Sequence, residues 1–302
     1  MKEGRACFPD DLEAAAFVAT CEASYNDAVR NAARRILSSD AYRMVTLSGP
    51  TCSGKTTTAS RLLAAVTAAD KDLHIISIDD FYYHRADIIR RAKEEGRAPD
   101  YETAEAIDLS LFEKTVAAIR RGGEVRVPTY DFVIGERTED RIFRADEDDI
   151  FLFEGIQAIY PEVTEILGHA DCLSMFIEAK DAIKINDKLF LPPEIRFFRR
   201  IVRDYKFRGS EPVFIFRNWE GVRKNELKNI YPHASEVDIH LDSTMAYGIN
   251  MLKSSLIPLL TDVKDHPEFG SEARRMLDSL EGIEEISHSL LPANSVYHEF
   301  VG

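Results

Sequence analysis

Apolar residues fall into two rhythms along the chain. Short runs at 42–47, 73–78, 149–156 and 172–177 have the length of buried strands. Between them lie longer stretches whose apolar residues recur three and four apart, the spacing of a helix buried on one face. Strands alternating with helices predict a parallel α/β sheet. An alanine-rich stretch at 10–37 predicts a helix with Leu12, Ala16, Ala19, Val29, Ala33 and Ile36 as its buried stripe. A further helix is expected at 57–66. Another, at 85–100, gives way to an exposed connection around Gly96 and Pro99. Leu109, Phe112, Val116 and Ile119 mark a helix that stops at Gly122 and Gly123, followed by an edge hairpin at 124–132 whose Tyr130 and Phe132 are core or pocket aromatics. A strand at 237–241 and helices at 245–260 and 271–280 precede a mixed tail. The pattern divides the chain into an N-terminal helical extension (1–40), a central domain (41–262) and a C-terminal helix and tail (263–302) packed on it.

The first strand runs into Gly49-Pro50-Thr51-Cys52-Ser53-Gly54-Lys55-Thr56-Thr57, which reads G-x-x-x-x-G-K-T with a strand before it and a helix after it. Glycines at that junction let backbone N–H groups and a helix N-terminus converge on an anion. The pattern assigns Lys55 to the β- and γ-phosphates of a nucleotide and the Thr56 hydroxyl to Mg²⁺. Cys52, inside an electropositive loop, is a candidate for oxidation that blocks the site, or an inert small side chain.

Two other strands also end in acids. Asp79 and Asp80 close the run at 73–78, and Glu154 closes the next, in the arrangement where a carboxylate supports Mg²⁺. In open α/β sheets ligands sit beyond the carboxyl ends of the strands. A carboxylate there is thus placed to meet a γ-phosphate or the hydroxyl attacking it; the alternative is a cap on the following helix, and two adjacent acids can split those roles. Farther on, Arg196, Arg200 and Arg203 share a helical face opposite Phe198, Ile201, Val202 and Tyr205. That face is either solvated or part of a lid at about 194–212 that closes on phosphate.

The 302 residues carry 52 acidic against 38 basic side chains, a formal charge of −14. Nucleic acid and anionic membrane surfaces demand a basic footprint, so neither is expected as a partner. No apolar run approaches a membrane span. Without a secretory pattern, and with four cysteines (Cys7, Cys21, Cys52, Cys172) at neither metal nor disulfide spacing, a reduced cytoplasmic protein is expected. The sequence is compatible with a homo-oligomer.

Together these motifs resemble the uridine kinase-like nucleoside kinases of the phosphoribulokinase/uridine kinase family of P-loop kinases. The resemblance covers residues 42–260 and adds Tyr101-Glu102, Asp108, Pro128-Thr129-Tyr130-Asp131-Phe132 and Arg208-Gly209 to the loop and the strand-end acids. It implies ATP as phosphoryl donor with Mg²⁺, and a small hydroxyl-bearing acceptor, a nucleoside phosphorylated at its 5′-hydroxyl. Asp79 then resembles the general base, Thr56 and Glu154 the Mg²⁺ ligands, and Arg203 and Arg208 the lid arginines on ATP. Tyr82 and Tyr130 resemble aromatics lining the base pocket, Glu102 an acid on the ribose hydroxyls, and Arg200 a pocket arginine facing substrate. Three positions depart from the family pattern. Gly135 replaces a base-contacting His, Ser210 replaces a second lid Arg, and Asn218 stands where a pocket Gln is expected. A sugar or polyol kinase and an NTP-binding regulatory module are the competing readings, although the Asn-Lys-x-Asp guanine motif of GTPase switches is missing.

Overall fold

The computed structural model describes residues 1–39, 41–168 and 172–302, so Asp40, the last residue of the N-terminal extension, lies outside the described residues. In chain order, β1 (Lys2–Glu3) and the long helix α1 (Asp11–Ile36) precede β2 (Met44–Ser48), which runs into α2 (Lys55–Thr67). β3 (Leu73–Ser77) ends in a 3-10 turn at Ile78–Phe81 and is followed by α3 (Arg85–Glu94) and α4 (Leu109–Arg121). A hairpin of β4 (Gly123–Asp131) and β5 (Glu136–Ala145) leads to β6 (Ile150–Glu154), α5 (Pro161–Leu167) and β7 (Cys172–Glu178). β8 (Ile183–Ile185) and β9 (Lys188–Phe190) open onto α6 (Pro192–Arg208) and α7 (Pro212–Asn225). A π-helical turn at Glu226–Ile230, α8 (Tyr231–Ala234), β10 (Ile239–Asp242), α9 (Gly248–Val263), α10 (Gly270–Leu280) and α11 (His298–Val301) complete the order.

Five of these strands form one parallel sheet in the order β10-β7-β2-β6-β3. β2 is buried along its whole length because helices cover both faces of the sheet. Alternation along the strands sends Val45, Leu47, Ile150 and Leu152 into the core under α1, α2, α6 and α9. Met44, Phe151 and Phe153 point the other way, against Phe112, Val116 and Ile119 of α4. α4 is started by Asp108, whose carboxylate accepts from the Leu111 N–H at 3.0 Å, and ends at Gly122 with φ +74°. The chain leaves β2 toward one edge of the sheet and later returns to fill the other. The carboxyl ends of β2, β3 and β6 therefore open onto a single crevice, where an open α/β sheet places its ligand.

Several elements differ from the sequence reading. The stripe of α1 is rotated: Leu12 is 78% exposed and Ala16 and Ala19 face solvent, while Ala14, Val18, Tyr25 and Ala32 join Val29, Ala33 and Ile36 in the core. The stripe was obscured by a buried acid at one of its positions. Glu22 accepts from Arg61 (3.1 Å), Tyr247 (2.6 Å) and Ser295 (2.5 Å), so its charge is compensated from three other segments. The hairpin is not an edge of the main sheet but a separate two-stranded sheet. On α6, Tyr205 is 48% exposed, whereas Arg196 and Arg199 are wholly buried. All four cysteines are free thiols. Among the described residues no helix is long and apolar enough to cross a membrane.

Candidate active site

Where β2 ends, Gly49 passes so close to β7 that a Cβ would strike the Ile177 carbonyl oxygen. Two left-handed residues, Cys52 (φ +58°) and Gly54 (φ +90°), then turn the chain into the first turn of α2. Lys55 Nζ donates to the carbonyls of Gly49 (2.9 Å) and Pro50 (3.1 Å), so the lysine spans the loop it belongs to. From behind, Arg196 donates to the Thr51 carbonyl (3.1 Å) and Arg199 to that of Cys52 (3.3 Å). Val296 of the C-terminal segment packs on Gly54, 2.5 Å from where a Cβ would be. Cys52 is 2% exposed in this framework and lines the cleft beside Lys55.

The 3-10 turn after β3 separates the two adjacent acids. Asp80 turns to the hairpin, accepting from the Tyr130 N–H (3.0 Å) and from Arg141 (2.8 Å). Asp79 faces a cleft of about 1110 Å³, with Lys55, Thr56 and Glu154 on the same wall. Burial lowers the Lys55 pKa against the pull of Glu154, Glu299 and Asp79. It raises that of Asp79, with Lys55 opposing, and pushes Glu154 up to about 7. Of the three, Glu154 is thereby brought to where a carboxyl exchanges its proton near neutrality.

The other half of the cleft is aromatic. Tyr82, Tyr130 and Phe132 form a triangle with ring centroids 5.1–6.2 Å apart. The Tyr82 hydroxyl is fixed by donating to the Tyr101 carbonyl (2.7 Å) and accepting from Gln157 (2.5 Å). Phe132 remains 57% exposed. Glu102 lines this half, its pKa raised by burial and drawn down by Arg200. Gly135 sits in the hairpin turn at φ +77°, a conformation that strains any side chain, and the space a Cβ would need is taken by Arg85.

Between the halves stands α6, which brings Arg200, Arg203 and Arg208 to the cleft. All three converge on one buried carboxylate, Asp204, at 3.3, 2.7 and 3.5 Å respectively. Arg200 and Arg203 also reach the Thr51 hydroxyl, each at 3.5 Å. Asn218 lies on α7 away from the cleft, whereas Val222 and Asn225, one and two turns onward, line it.

Several cleft residues carry little signal in the sequence. Glu299, from the tail, lines the cleft and accepts from Thr57 Oγ1 at 3.5 Å. Its one signal was the helical spacing of Val296, Tyr297, Phe300 and Val301 around it, all buried. Arg85 carried no signal, since it opens a helix of ordinary charged composition.

The family profile described as "Phosphoribulokinase / Uridine kinase family" matches residues 44–247, the sheet and the whole cleft apart from the tail. "Uridine-cytidine kinase 2-B" of Danio rerio is 29% identical over 174 residues, which are 56% of this chain and 60% of the relative. "Uridine-cytidine kinase B" of Dictyostelium discoideum is 26% identical over 189 residues, 63% of this chain and 66% of the relative. "Uridine kinase" of Ureaplasma urealyticum is 28% identical over 176 residues, 58% and 75% respectively. The chain thus spans less than two thirds of the length of the first two relatives.

Proposed function

The chain belongs to the phosphoribulokinase/uridine kinase family, and from that premise we propose that it is an ATP-dependent kinase acting on the 5′-hydroxyl of a nucleoside. The observation that carries the reading is the cleft itself, which joins a phosphate loop and a poised acid to an aromatic-walled acceptor half. Aromatic faces suit a flat base, because every base offers a π-face for stacking. The similarity to uridine and uridine-cytidine kinases supports the same acceptor class.

Lys55 and the backbone N–H groups of the loop would hold the β- and γ-phosphates. Asp79 would orient the acceptor hydroxyl and take its proton as the phosphoryl group moves in line, and its raised pKa makes it a better base than a free aspartate. Arg200, Arg203 and Arg208 would offset charge on the transferring group, so that positioning and electrostatics supply most of the acceleration. Thr56 and Glu154 present a hydroxyl and a carboxylate to the same cleft, hard oxygens that fit Mg²⁺, which takes one or two carboxylates beside phosphate and water. When bound, Mg²⁺ supplies charge neutralisation at the β- and γ-oxygens.

The test is an acceptor panel of nucleosides, sugars and polyols with ATP or GTP, scored by phosphorylated product. Nucleoside 5′-phosphate formed by the wild type but not by Lys55→Ala or Asp79→Asn, both folded, is the expected result. ATP hydrolysis indifferent to every acceptor would overturn the reading, and unchanged turnover by Asp79→Asn would remove Asp79 from its role.

A further inference from the structure

Arg85 opens α3 and folds back over the tip of the hairpin. Its N–H donates to the Gly135 carbonyl at 2.7 Å, and its guanidinium donates to the carbonyls of Phe132 and, at 3.5 Å, Val133. A Cβ at Gly135 would lie 2.8 Å from Arg85 Nε and 2.9 Å from Cζ, so the glycine makes the room in which this guanidinium sits. Arg90, Arg97, Arg137 and Arg141, on the surrounding elements, each pair with a carboxylate. Among the described residues Arg85 has none within ion-pair distance, and it lines the acceptor half of the cleft beside Tyr130 and Phe132.

A guanidinium has five N–H donors and no acceptor. Two contacts to carbonyls leave donors available, held by the backbone at a set place beside the aromatic triangle. A ring stacked on those faces would present to Arg85 the edge remote from its ribose. On a pyrimidine that edge is position 4, an acceptor oxygen in uracil and a donor amino group in cytosine.

Resting on the nucleoside-kinase reading above, we propose that Arg85 is a specificity-determining residue that donates to the distal edge of the base and selects an oxo group there over an amino group. A donor facing a donor leaves both unpaired, which predicts a preference for uridine over cytidine of about ten- to a hundredfold in kcat/KM.

Steady-state kinetics with uridine and cytidine at saturating ATP test this in the wild type, Arg85→Met and Arg85→Lys, with thermal unfolding of each as a check on the fold. In Arg85→Met the uridine kcat/KM should fall about tenfold or more through KM, while kcat and the KM for ATP stay within about threefold and the uridine preference disappears. Arg85→Lys, which keeps a donor, should retain part of the preference, and it decides the matter if the methionine variant does not fold. An unchanged uridine-to-cytidine ratio in Arg85→Met overturns the inference, as does an equal loss for both substrates that lysine does not rescue. A wild type inert toward every nucleoside would instead overturn the nucleoside reading, and the inference with it.

Discussion

Arg196 of α6 and Glu226 of the π-helical turn meet in a two-pronged ion pair, 2.6 and 2.7 Å, with both side chains almost wholly buried. The same guanidinium donates to the Thr51 carbonyl, and the same carboxylate accepts from Arg223 at 2.5 Å. The phosphate loop is thereby tied through α6 to the π-helical turn, whose Glu226 and Ile230 line the cleft. Glu226→Ala strands a buried guanidinium, which typically costs about 3–5 kcal/mol. Denaturant unfolding should show a loss of that order, and the KM for ATP should rise as Thr51 loses its support. The double variant Arg196→Met with Glu226→Leu should recover most of the stability and little of the ATP affinity.

Asp204 plays a different part, holding three cationic side chains whose own repulsion would spread them. Asparagine keeps the shape but not the charge. Asp204→Asn should let Arg200, Arg203 and Arg208 move apart, and a misplacement of about 1 Å near transferring groups can cost roughly 10²-fold in rate. The loss should appear in kcat more than in the KM for the acceptor. A kcat within about threefold of wild type would show that Asp204's charge is not what places the three arginines.

The sheet and the phosphate loop were legible because each rests on local pattern: apolar runs of strand length, a glycine-spaced loop, acids at strand ends. What was hidden depends on contacts between distant segments. Glu22 reads as a surface acid on an amphipathic helix, and nothing nearby in sequence announces Arg61, Tyr247 and Ser295 around it. Arg196 reads as part of a basic face with Arg200 and Arg203 because arginine is seldom fully buried, yet it donates to Glu226 and the Thr51 carbonyl, and the equally buried Arg199 beside it donates to the carbonyls of Cys52 and Ser243. The helix was visible and its role behind the loop was not. The placing of Asp80 on the hairpin likewise depends on β5, an almost wholly exposed strand with no apolar alternation to announce it.

The C-terminal segment shows the same limit and gives a direct test. Tyr297 and Phe300 lie 5.0 and 5.1 Å from the Arg199 guanidinium, Val296 rests on Gly54, and Lys206 donates to the Val301 carbonyl. This segment therefore joins α6 to the phosphate loop. Phe300→Ala should cost about 3–5 kcal/mol, as for other fully buried aromatics. Deleting residues 294–302 should lower the thermal midpoint further and weaken ATP binding, measured by calorimetry. A truncated protein with wild-type ATP affinity would show that the segment only covers apolar surface.

Acid should weaken the pair at Glu226 while favouring the native state through the buried carboxyls of the cleft. Burial alone would raise the Glu226 pKa, but hydrogen bonds and charge from Arg196 and Arg223 outweigh it and hold the carboxyl below its ordinary 4.5. The unfolded chain then binds this proton first, so the pair's stabilisation is complete above pH 4.5 and is lost as pH falls through the lower native value. Glu154, Asp79 and Glu102 have the opposite sign. Burial raises each, so the native state takes up protons that the unfolded chain has shed; for Glu154, raised to about 7, the contribution to stability grows as pH falls from 7 toward 4.5, and Asp79 and Glu102 act in the same direction. The contribution of these four groups to wild-type stability should accordingly rise as pH falls from 7 toward 4.5, and the part due to Glu226 should be lost below that. Subtracting the curve of Glu226→Gln isolates the first effect. The difference should be level above pH 5 and shrink toward zero in more acid solution, as read by urea unfolding at each pH. A difference that stays constant down to pH 3 would mean that Glu226 keeps its proton affinity on unfolding, and that the ion pair contributes shape but no charge-dependent stability.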